Sequence, residues 1–401
     1  MIIAHTKDGD FNLRCNELFI DEVNYFDDNT VLIDLLNIFL EIYINDISIK
    51  RVGSNARNIL IKVFVDRKNI KIWESNSAFI ENLCNFVTEG DGDKWTLSCI
   101  PSDYEYSAIK MQLDKSDVDN ISLLSGGLDS FCGAYSNELS NRKTIYCGYK
   151  TSNVDTSAIK RISDFLGTRR GNMGVCTYEK VNVNKVTLTQ RTRSLLFFSL
   201  AVITAYKEKV TNINVNENGI MTLNPSFQTR GTTKTTHPKT IYLYQQILNN
   251  ANIKIKVNHP FLFKTKGEMV ASLNNEYINF MKDTRSCSRS LHDVRYDVSS
   301  KKSCGTCVPC LLRKISVAAY NLENYDNDYI VSYKGDMADP EYRSSLFYFQ
   351  TFYKSIKMDE IFSELRINKK YYEIDDYYEK TFEMLNRFAQ EFEIFSNKYV
   401  R

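Results

Sequence analysis

Residues 121–132 read ISLLSGGLDSFC. Ile121–Leu124 is a strand-like apolar run, and FCGAYSNEL beyond the turn can continue as a helix. Two glycines, two serines and an aspartate are gathered in Ser125–Ser130 around Leu128. A glycine turn that opens a helix brings backbone N–H groups together where the helix dipole favours an anion. Gly126 and Gly127 let the backbone approach phosphate oxygens with no Cβ in the way, and Ser125 and Ser130 add hydroxyl donors. An aspartate beside phosphates is repulsive unless a cation lies between them, so Asp129 implies Mg²⁺. A plain turn with a serine cap needs no ligand, but it needs fewer of these residues. The G-x-x-x-x-G-K-[ST] nucleotide loop and the dinucleotide G-x-G-x-x-G are both absent from the sequence.

From 121 onward, short apolar strands alternate with helices. TIYCGYK (144–150) is the next strand and TSAIKRISDFLG (156–167) the next helix. SLLFFSLAVITAY (194–206) is a strongly apolar helix and NINVNEN (212–218) a short strand. This alternation predicts an α/β fold, a parallel sheet with helices on its faces and ligands at the carboxyl ends of its strands. The SGGLDS turn is at such an end.

Residues 1–117 have the look of a small α+β unit. NILIKVFVD (58–66) puts Ile59, Ile61, Val63 and Val65 on one face, while Leu32, Leu35, Leu36, Phe39 and Ile42 recur at helical spacing. SNSAFIENLCNFV (75–87) is helix-like behind a serine/asparagine start, and KWTLSCI (94–100) is a further strand. Polar residues 101–120 join this unit to the next. From about Asp336 the chain is helical and rich in Tyr and Phe. Phe382, Leu385, Phe388, Phe392 and Phe395 form a stripe expected to be core or a docking face. The expected division is therefore 1–117, 118–335 and 336–401, the last a helical extension.

The totals fit this division. A chain of 401 residues exceeds one ordinary hydrophobic core. With 43% apolar and 25% charged residues it has the make-up of a soluble globular protein. A net charge of +2 gives no global sign of a nucleic-acid partner. No apolar stretch approaches bilayer length and MIIAHTKDGDFN is not a signal peptide, so a cytoplasmic protein with no membrane partner is expected.

Of ten cysteines, six are scattered (Cys15, Cys84, Cys99, Cys132, Cys147, Cys176) and suit small buried apolar positions. The other four fall within 286–314: Cys287, then Cys304, Cys307 and Cys310 at C-x₂-C-x₂-C spacing. Two overlapping C-x₂-C steps present three thiolates around a turn eased by Gly305 and Pro309, and Cys287 can complete a tetrahedral S₄ site for structural Zn²⁺. An iron–sulfur cluster accepts the same four thiolates. His292 is an alternative ligand, although a lone histidine in a polar loop is more often solvated.

ISLLSGGLDS resembles the pyrophosphate loop of the PP-loop ATP pyrophosphatases, S-G-G-x-D-S after the first strand, matched by Ser125, Gly126, Gly127, Asp129 and Ser130. That resemblance implies an adenine nucleotide alpha hydrolase-like, Rossmann-like core. It also implies that ATP adenylates an oxygen, pyrophosphate leaves, and a nitrogen or sulfur nucleophile displaces AMP. The cysteine pattern beyond it, with Leu312–Arg313 following, resembles that of QueC, the 7-cyano-7-deazaguanine synthase family. QRTRSLLFFSLAVITAY is similar to that family's G-R-N-x-x-F helix and places Arg193 in its phosphate-facing arginine position. HPFLFKTKGEMV (259–270) resembles the E-T-P-x-x-x-x-x-K-A-E segment and places Lys266 and Glu268. The resemblance covers about 121–320. It implies an ATP-dependent C–N ligase using ATP, Mg²⁺ and Zn²⁺, with Ser125, Asp129, Ser130, Arg193 and Lys266 as catalytic residues. The implied substrates are 7-carboxy-7-deazaguanine or a relative and an amine, either ammonia or a group on a partner protein, giving a nitrile or an amide.

The chain departs from the family pattern in two places. Thr192 and Ser194 flank Arg193 where the family has P-G-R-N, and TTKTTHPKTIYLY (232–244) stands in place of the substrate-loop string G-Y-P-D-C-R. His237–Pro238 remain there without a matching aspartate, so a changed acceptor pocket is expected. Arg193, Lys239 and Lys266 have solvated surface charge as their plainer explanation. For Arg193, its place at the start of a helix that must be buried weighs against that. The stretches outside 121–320, with DLLNIFLEIYINDISIKR (34–51), resemble the QueC-like proteins of antiviral defence operons, among them the Qat system and one type of cyclic-oligonucleotide signalling system (CBASS). Two other functions are consistent with the motifs: a PP-loop enzyme that thiolates tRNA, and a nucleotide-sensing assembly module without turnover.

Overall fold

The computed structural model describes residues 2–6, 9–17, 29–50, 56–103, 118–150, 153–167, 174–180, 190–227, 233–289 and 302–400, with backbone alone for 2–17, 150, 153–156 and 174–180. Nine strands carry the argument: β1 (Ile2–Thr6), β2 (Gly9–Glu17), β3 (Asn58–Asp66), β4 (Lys94–Ser102), β5 (Asn120–Leu123), β6 (Thr144–Lys150), β7 (Gly174–Lys180), β8 (Asn212–Asn214) and β9 (Lys256–Asn258). Their helices are α1 (Thr30–Ser48), α2 (Ile70–Val87), α3 (Leu128–Leu139), α4 (Asn153–Gly167), α5 (Arg193–Lys207), α6 (Gly219–Leu223), α7 (Pro238–Asn250), α8 (Lys266–Ala271), α9 (Asn275–Phe280), α10 (Val308–Ala319), α11 (Pro340–Lys357), α12 (Phe362–Leu365) and α13 (Tyr377–Tyr399).

The main sheet has seven strands in the order β1-β2-β7-β6-β5-β8-β9. From β7 to β9 every neighbour is parallel, as the strand–helix alternation predicts. The chain steps outward from β5 through β6 to β7, then returns through α5 to place β8 on the other side of β5. Connections therefore leave β5 and β8 in opposite directions, which opens a crevice at their carboxyl ends. Among the described residues, no helix is long and apolar enough to cross a membrane.

Helices cover both faces. Ile145, Cys147 and Tyr149 of β6 join the core under α1, α5 and α7, while Tyr146, pointing the other way, joins the core of α3, α4, α8 and α9. A third core unites α6, α10, α11 and α13. Helix α5 is apolar nearly all round because α1 lies on its outer side, and α1 is in turn covered by β3.

Three features differ from the sequence expectation. The opening strands extend the main sheet, β2 antiparallel to β7 and β1 antiparallel to β2, and the core around α1 is continuous with that under α5. Helix α2 begins at Ile70 rather than behind Ser75. The Ser75 and Ser77 hydroxyls donate back to Ile72 and Glu74 carbonyls, and the Asp66 carboxylate starts the turn by accepting from Lys68 N–H. In α13, Leu385, Phe388, Phe392 and Phe395 are buried, but Phe382 is 40% exposed and faces the Phe362 ring instead.

The N-terminal stretch also fixes the entrance to α5. Tyr43 donates to the Gln190 side chain at 2.8 Å, and Arg191 forks onto Asp91 at 2.5 and 2.9 Å. The Asp46 carboxylate accepts both the N–H and the hydroxyl of Thr192, at 3.1 and 3.0 Å. Asp46 and Asp93 share the buried Arg57 guanidinium at 2.7 Å each. Removing Arg57 would leave two carboxylates uncompensated in a place with little water. Arg57→Met is therefore expected to lower stability by about 3–5 kcal/mol in urea unfolding and to loosen residues 190–193 in hydrogen exchange. A change below about 1 kcal/mol would mean that the cluster holds nothing together.

Candidate functional site

The turn after β5 is shaped by its glycines. Gly126 sits at φ +81, and a Cβ there would also fall 3.0 Å from Ala158 Cβ and 3.1 Å from the Ile159 nitrogen of α4. Ser125 Oγ lies 3.3 Å from both Ser130 Oγ and Gly127 N, and Ser130 donates to the Gly127 carbonyl at 2.9 Å. Helix α3 is N-capped by Gly127, which has no side chain with which to satisfy the first-turn N–H groups. Leu128 is fully buried and anchors the helix start. The result is a ring of hydroxyls and amides around a helix N-terminus, suited to an anion.

Asp129, in the first turn of α3, meets Lys266 Nζ at 2.7 Å. Lys266 is the first residue of α8, whose capping box is formed by Thr265 and Glu268. The cation beside Asp129 is thus a lysine ammonium, which the loop sequence alone did not reveal. Asn218, after β8, donates to Asp129 Oδ2 at 3.1 Å and to Glu217 Oε1 at 3.0 Å. Burial opposes ionisation of Asp129, but the Lys266 charge and the hydrogen bonds from Glu217, Lys266 and Asn218 outweigh it and hold its pKa below the ordinary value. Burial and the neighbouring Asp129 charge push Glu217 well above the usual carboxyl range. Asp129 is therefore held toward its ionised form and Glu217 toward its protonated form. His259 closes the cluster, its Nε2–H donating to the Glu217 carbonyl at 2.8 Å, and burial pushes its pKa down to about 4.

Glu217, Asn218 and His259 were not singled out from the sequence. The signal lay in the topology, because they follow β8 and β9, the two strands beside β5 on its far side. Arg193 is at the same edge of the sheet, at the start of α5, with its guanidinium 5.7 Å over the Phe197 ring and close to Tyr43 and Tyr149. Its position is set by Thr192 on Asp46. In the altered acceptor stretch, His237 and Pro238 begin α7. Nδ1 of His237 accepts from Lys239 N–H, its Nε2–H reaches the Leu365 carbonyl, and burial lowers its pKa to about 3. Lys239 lies 4.5 Å over the Phe86 ring. These groups serve the helix start, while residues 228–232 lie outside the described residues.

The four clustered cysteines converge. Their sulfurs lie within 4.8 Å of one another and all are buried, with Cys304 Sγ at 3.5 Å from Cys287 Sγ and 3.8 Å from Cys310 Sγ. A zinc tetrahedron with bonds of about 2.3 Å has sulfur–sulfur edges of about 3.8 Å, so the donor set fits Zn²⁺. Hydrogen bonds from Cys287, Cys307 and Cys310 hold Cys304 far below an ordinary thiol, and the N–H groups of Thr306 and Cys307 also point at it. His292 lies outside the described residues. The module is joined to the turn, since Arg285 N–H donates to the Gly126 carbonyl at 2.9 Å, two residues before Cys287. Arg313 of α10 fastens the same strap through Met281 and Thr284, with Asp326 as its buried counter-ion at 2.6 Å.

Residues 119–321, just over half of the chain, match the family described as Queuosine biosynthesis protein QueC. The chain belongs to the QueC family. Membership makes it an ATP-using enzyme of the PP-loop class, in 7-deazaguanine-type chemistry, and the turn, the Lys266–Asp129 pair and the cysteine cluster all fall within the matched span. No curated protein matches the chain.

Lys266→Met is expected to cost about 3 kcal/mol in chemical denaturation, because it strands Asp129 beside Glu217. Purified protein is expected to carry one zinc per chain by elemental analysis. Cys304→Ser should lose the metal and, through Arg285 and Gly126, speed amide exchange in residues 123–131. Unchanged exchange there in the metal-free variant would separate the two sites.

Proposed function

We propose that this chain is an ATP-dependent ligase that adenylates a carboxylate, 7-carboxy-7-deazaguanine or a relative, and transfers the acyl group to nitrogen. The observation that carries this reading is the convergence of the glycine turn, Asp129, Glu217 and Lys266 at the carboxyl ends of β5, β8 and β9. A substrate carboxylate oxygen attacks the α-phosphorus of ATP, the bond to the bridging oxygen breaks, and pyrophosphate leaves with the electron pair. The amine nitrogen then attacks the acyl carbon, AMP departs, and the amine's proton passes to solvent. With ammonia the product is an amide, which a second activation converts to a nitrile.

In this reading the N–H groups of α3 and the hydroxyls of Ser125 and Ser130 take up the charge of the departing pyrophosphate, with Lys266 and Arg193 as positive charges at the same edge. Asp129 and Glu217 would hold the Mg²⁺ that accompanies ATP. Both carboxyl groups accept from Asn218 Nδ2 there, and Asp129 Oδ1 meets no N–H donor among the described residues. Mg²⁺ would supply charge neutralisation on the pyrophosphate. Zinc, in a closed S₄ site, is structural.

A tRNA thiolase needs a reactive thiol. The clustered cysteines face one another, and burial pushes the Cys132 thiol, near the turn, far up. The longer stretches on either side of 119–321, with their resemblance to defence-operon proteins, support a place in a cytoplasmic anti-phage system in which a partner protein supplies the amine. ATP–pyrophosphate exchange with 7-carboxy-7-deazaguanine is the test. Acid-dependent exchange is expected, reduced at least about a hundredfold in Asp129→Ala. ATP binding without acid-dependent exchange would rule out this substrate.

A further inference from the structure

Helix α13 lies outside the span matched to the family, yet its side chains reach the segment that carries Lys266. Arg387 donates to the Phe263 carbonyl at 2.9 Å and pairs with Glu268 at 2.7 Å. Glu391, 4% exposed, accepts a hydrogen bond from the Thr265 hydroxyl and packs directly against Gly267. The residues on both sides of Lys266 therefore meet one carboxyl group, Thr265 by a hydrogen bond and Gly267 by close packing.

Gly267 is matched to that carboxyl. It lies in helix α8 and is not among the residues with positive φ, so its backbone would accept any side chain. What a side chain lacks is room, because a Cβ would fall 2.3 Å from Glu391 Oε1 and 2.7 Å from Tyr320 Cε2. The other Glu391 oxygen is buried without a hydrogen-bond partner among the described residues. Burial pushes the carboxyl up to about 8, against the pull of Thr265, Gly267 N–H and Arg387. On a helix otherwise fixed by Leu385, Phe388, Phe392 and Phe395, an apolar residue would avoid that cost. A costly polar group with a matched glycine marks a site under a functional constraint.

We propose that Glu391 is a positioning residue of the nucleotide site: it fixes the turn at Thr265–Gly267 and so holds the Lys266 ammonium against Asp129. The placement stands on geometry, and its consequence for the nucleotide rests on the ATP reading above.

The full-length protein can be tested by brief acetylation and peptide mass spectrometry, which reads how well each lysine is sheltered. Lys266, Lys314 and Lys234 are all buried, so all three are expected to be protected in the wild type. In Glu391→Ala, Lys266 labelling is expected to rise about tenfold while Lys314 and Lys234 stay protected. Glu391→Gln keeps an acceptor for Thr265 and should stay within about twofold of wild type. Gly267→Ala, with α13 untouched, should expose Lys266 as Glu391→Ala does.

Continued protection of Lys266 in folded Glu391→Ala overturns the proposal. So does a parallel rise at Lys314 and Lys234, which would make Glu391 a general structural residue. Calorimetric titration with Mg²⁺·ATP gives the second readout, with affinity expected to fall about tenfold in Glu391→Ala and to hold in Glu391→Gln. Selective exposure of Lys266 in a protein whose wild type binds no ATP would support the placement and remove the ATP reading.

Discussion

The Lys266 ammonium and the Asp129 carboxylate meet at 2.7 Å where little water reaches. Neither charge would be tolerated there alone, since an unpaired buried charge costs several kcal/mol, so each fixes the other. The pair links the turn after β5 to the segment after β9. β8 lies between those strands, so Glu217 and Asn218 at its carboxyl end enter the same space. Sheet order thus sets the chemistry of the site. Three neighbouring strand ends supply two carboxyl groups, one ammonium and the open amides of a helix start. The site offers carboxyl oxygens to a cation and, one turn away, N–H groups suited to phosphate.

The parts around this pair are held by unlike means. Arg313 and Asp326 secure the strap that bonds Gly126, and the four cysteines close the module from which that strap leads. On the opposite face of the sheet, the start of α5 hangs on Tyr43, Asp46 and Asp91 rather than on the core it belongs to. Polar contacts set the position of each functional segment, while apolar contacts supply the bulk of the stability. Hydrophobic burial does not specify direction, and a phosphate site needs direction.

Much of the architecture was legible in the sequence because it rests on local pattern. The alternation in 58–66, the helical spacing from Leu32 and the strand–turn–helix text at 121–139 each signal an element within one short window. The cysteine cluster was legible for a different reason, because metal-ligand spacing imposes itself on sequence. What escaped depends on tertiary neighbours. NVNEN shows its strand but not that Glu217 faces Asp129, which requires knowing that β8 lies beside β5. Nothing in residues 2–17 indicates that they extend the sheet next to β7. The serines at 75 and 77 looked like a helix start, but inside a packed helix their hydroxyls have carbonyls at hand.

Thr192 and Gly267 connect these observations. At both, the residue differs from the family pattern quoted for its segment, G-R-N before α5 and K-A-E at α8, and at both a side chain from outside the matched span accounts for it. The Thr192 hydroxyl is held by Asp46 of α1, and the space beside Gly267 is filled by Glu391 of α13. The first contact sits next to Arg193 and the second next to Lys266, the two positive charges assigned to the nucleotide. If the N- and C-terminal additions were only appended to a finished enzyme, their contacts would fall on surfaces remote from the turn. Two of them fall instead one residue from each cation. Asp46 thus ties α1 to the residue before Arg193, and Glu391 ties α13 to the residues flanking Lys266.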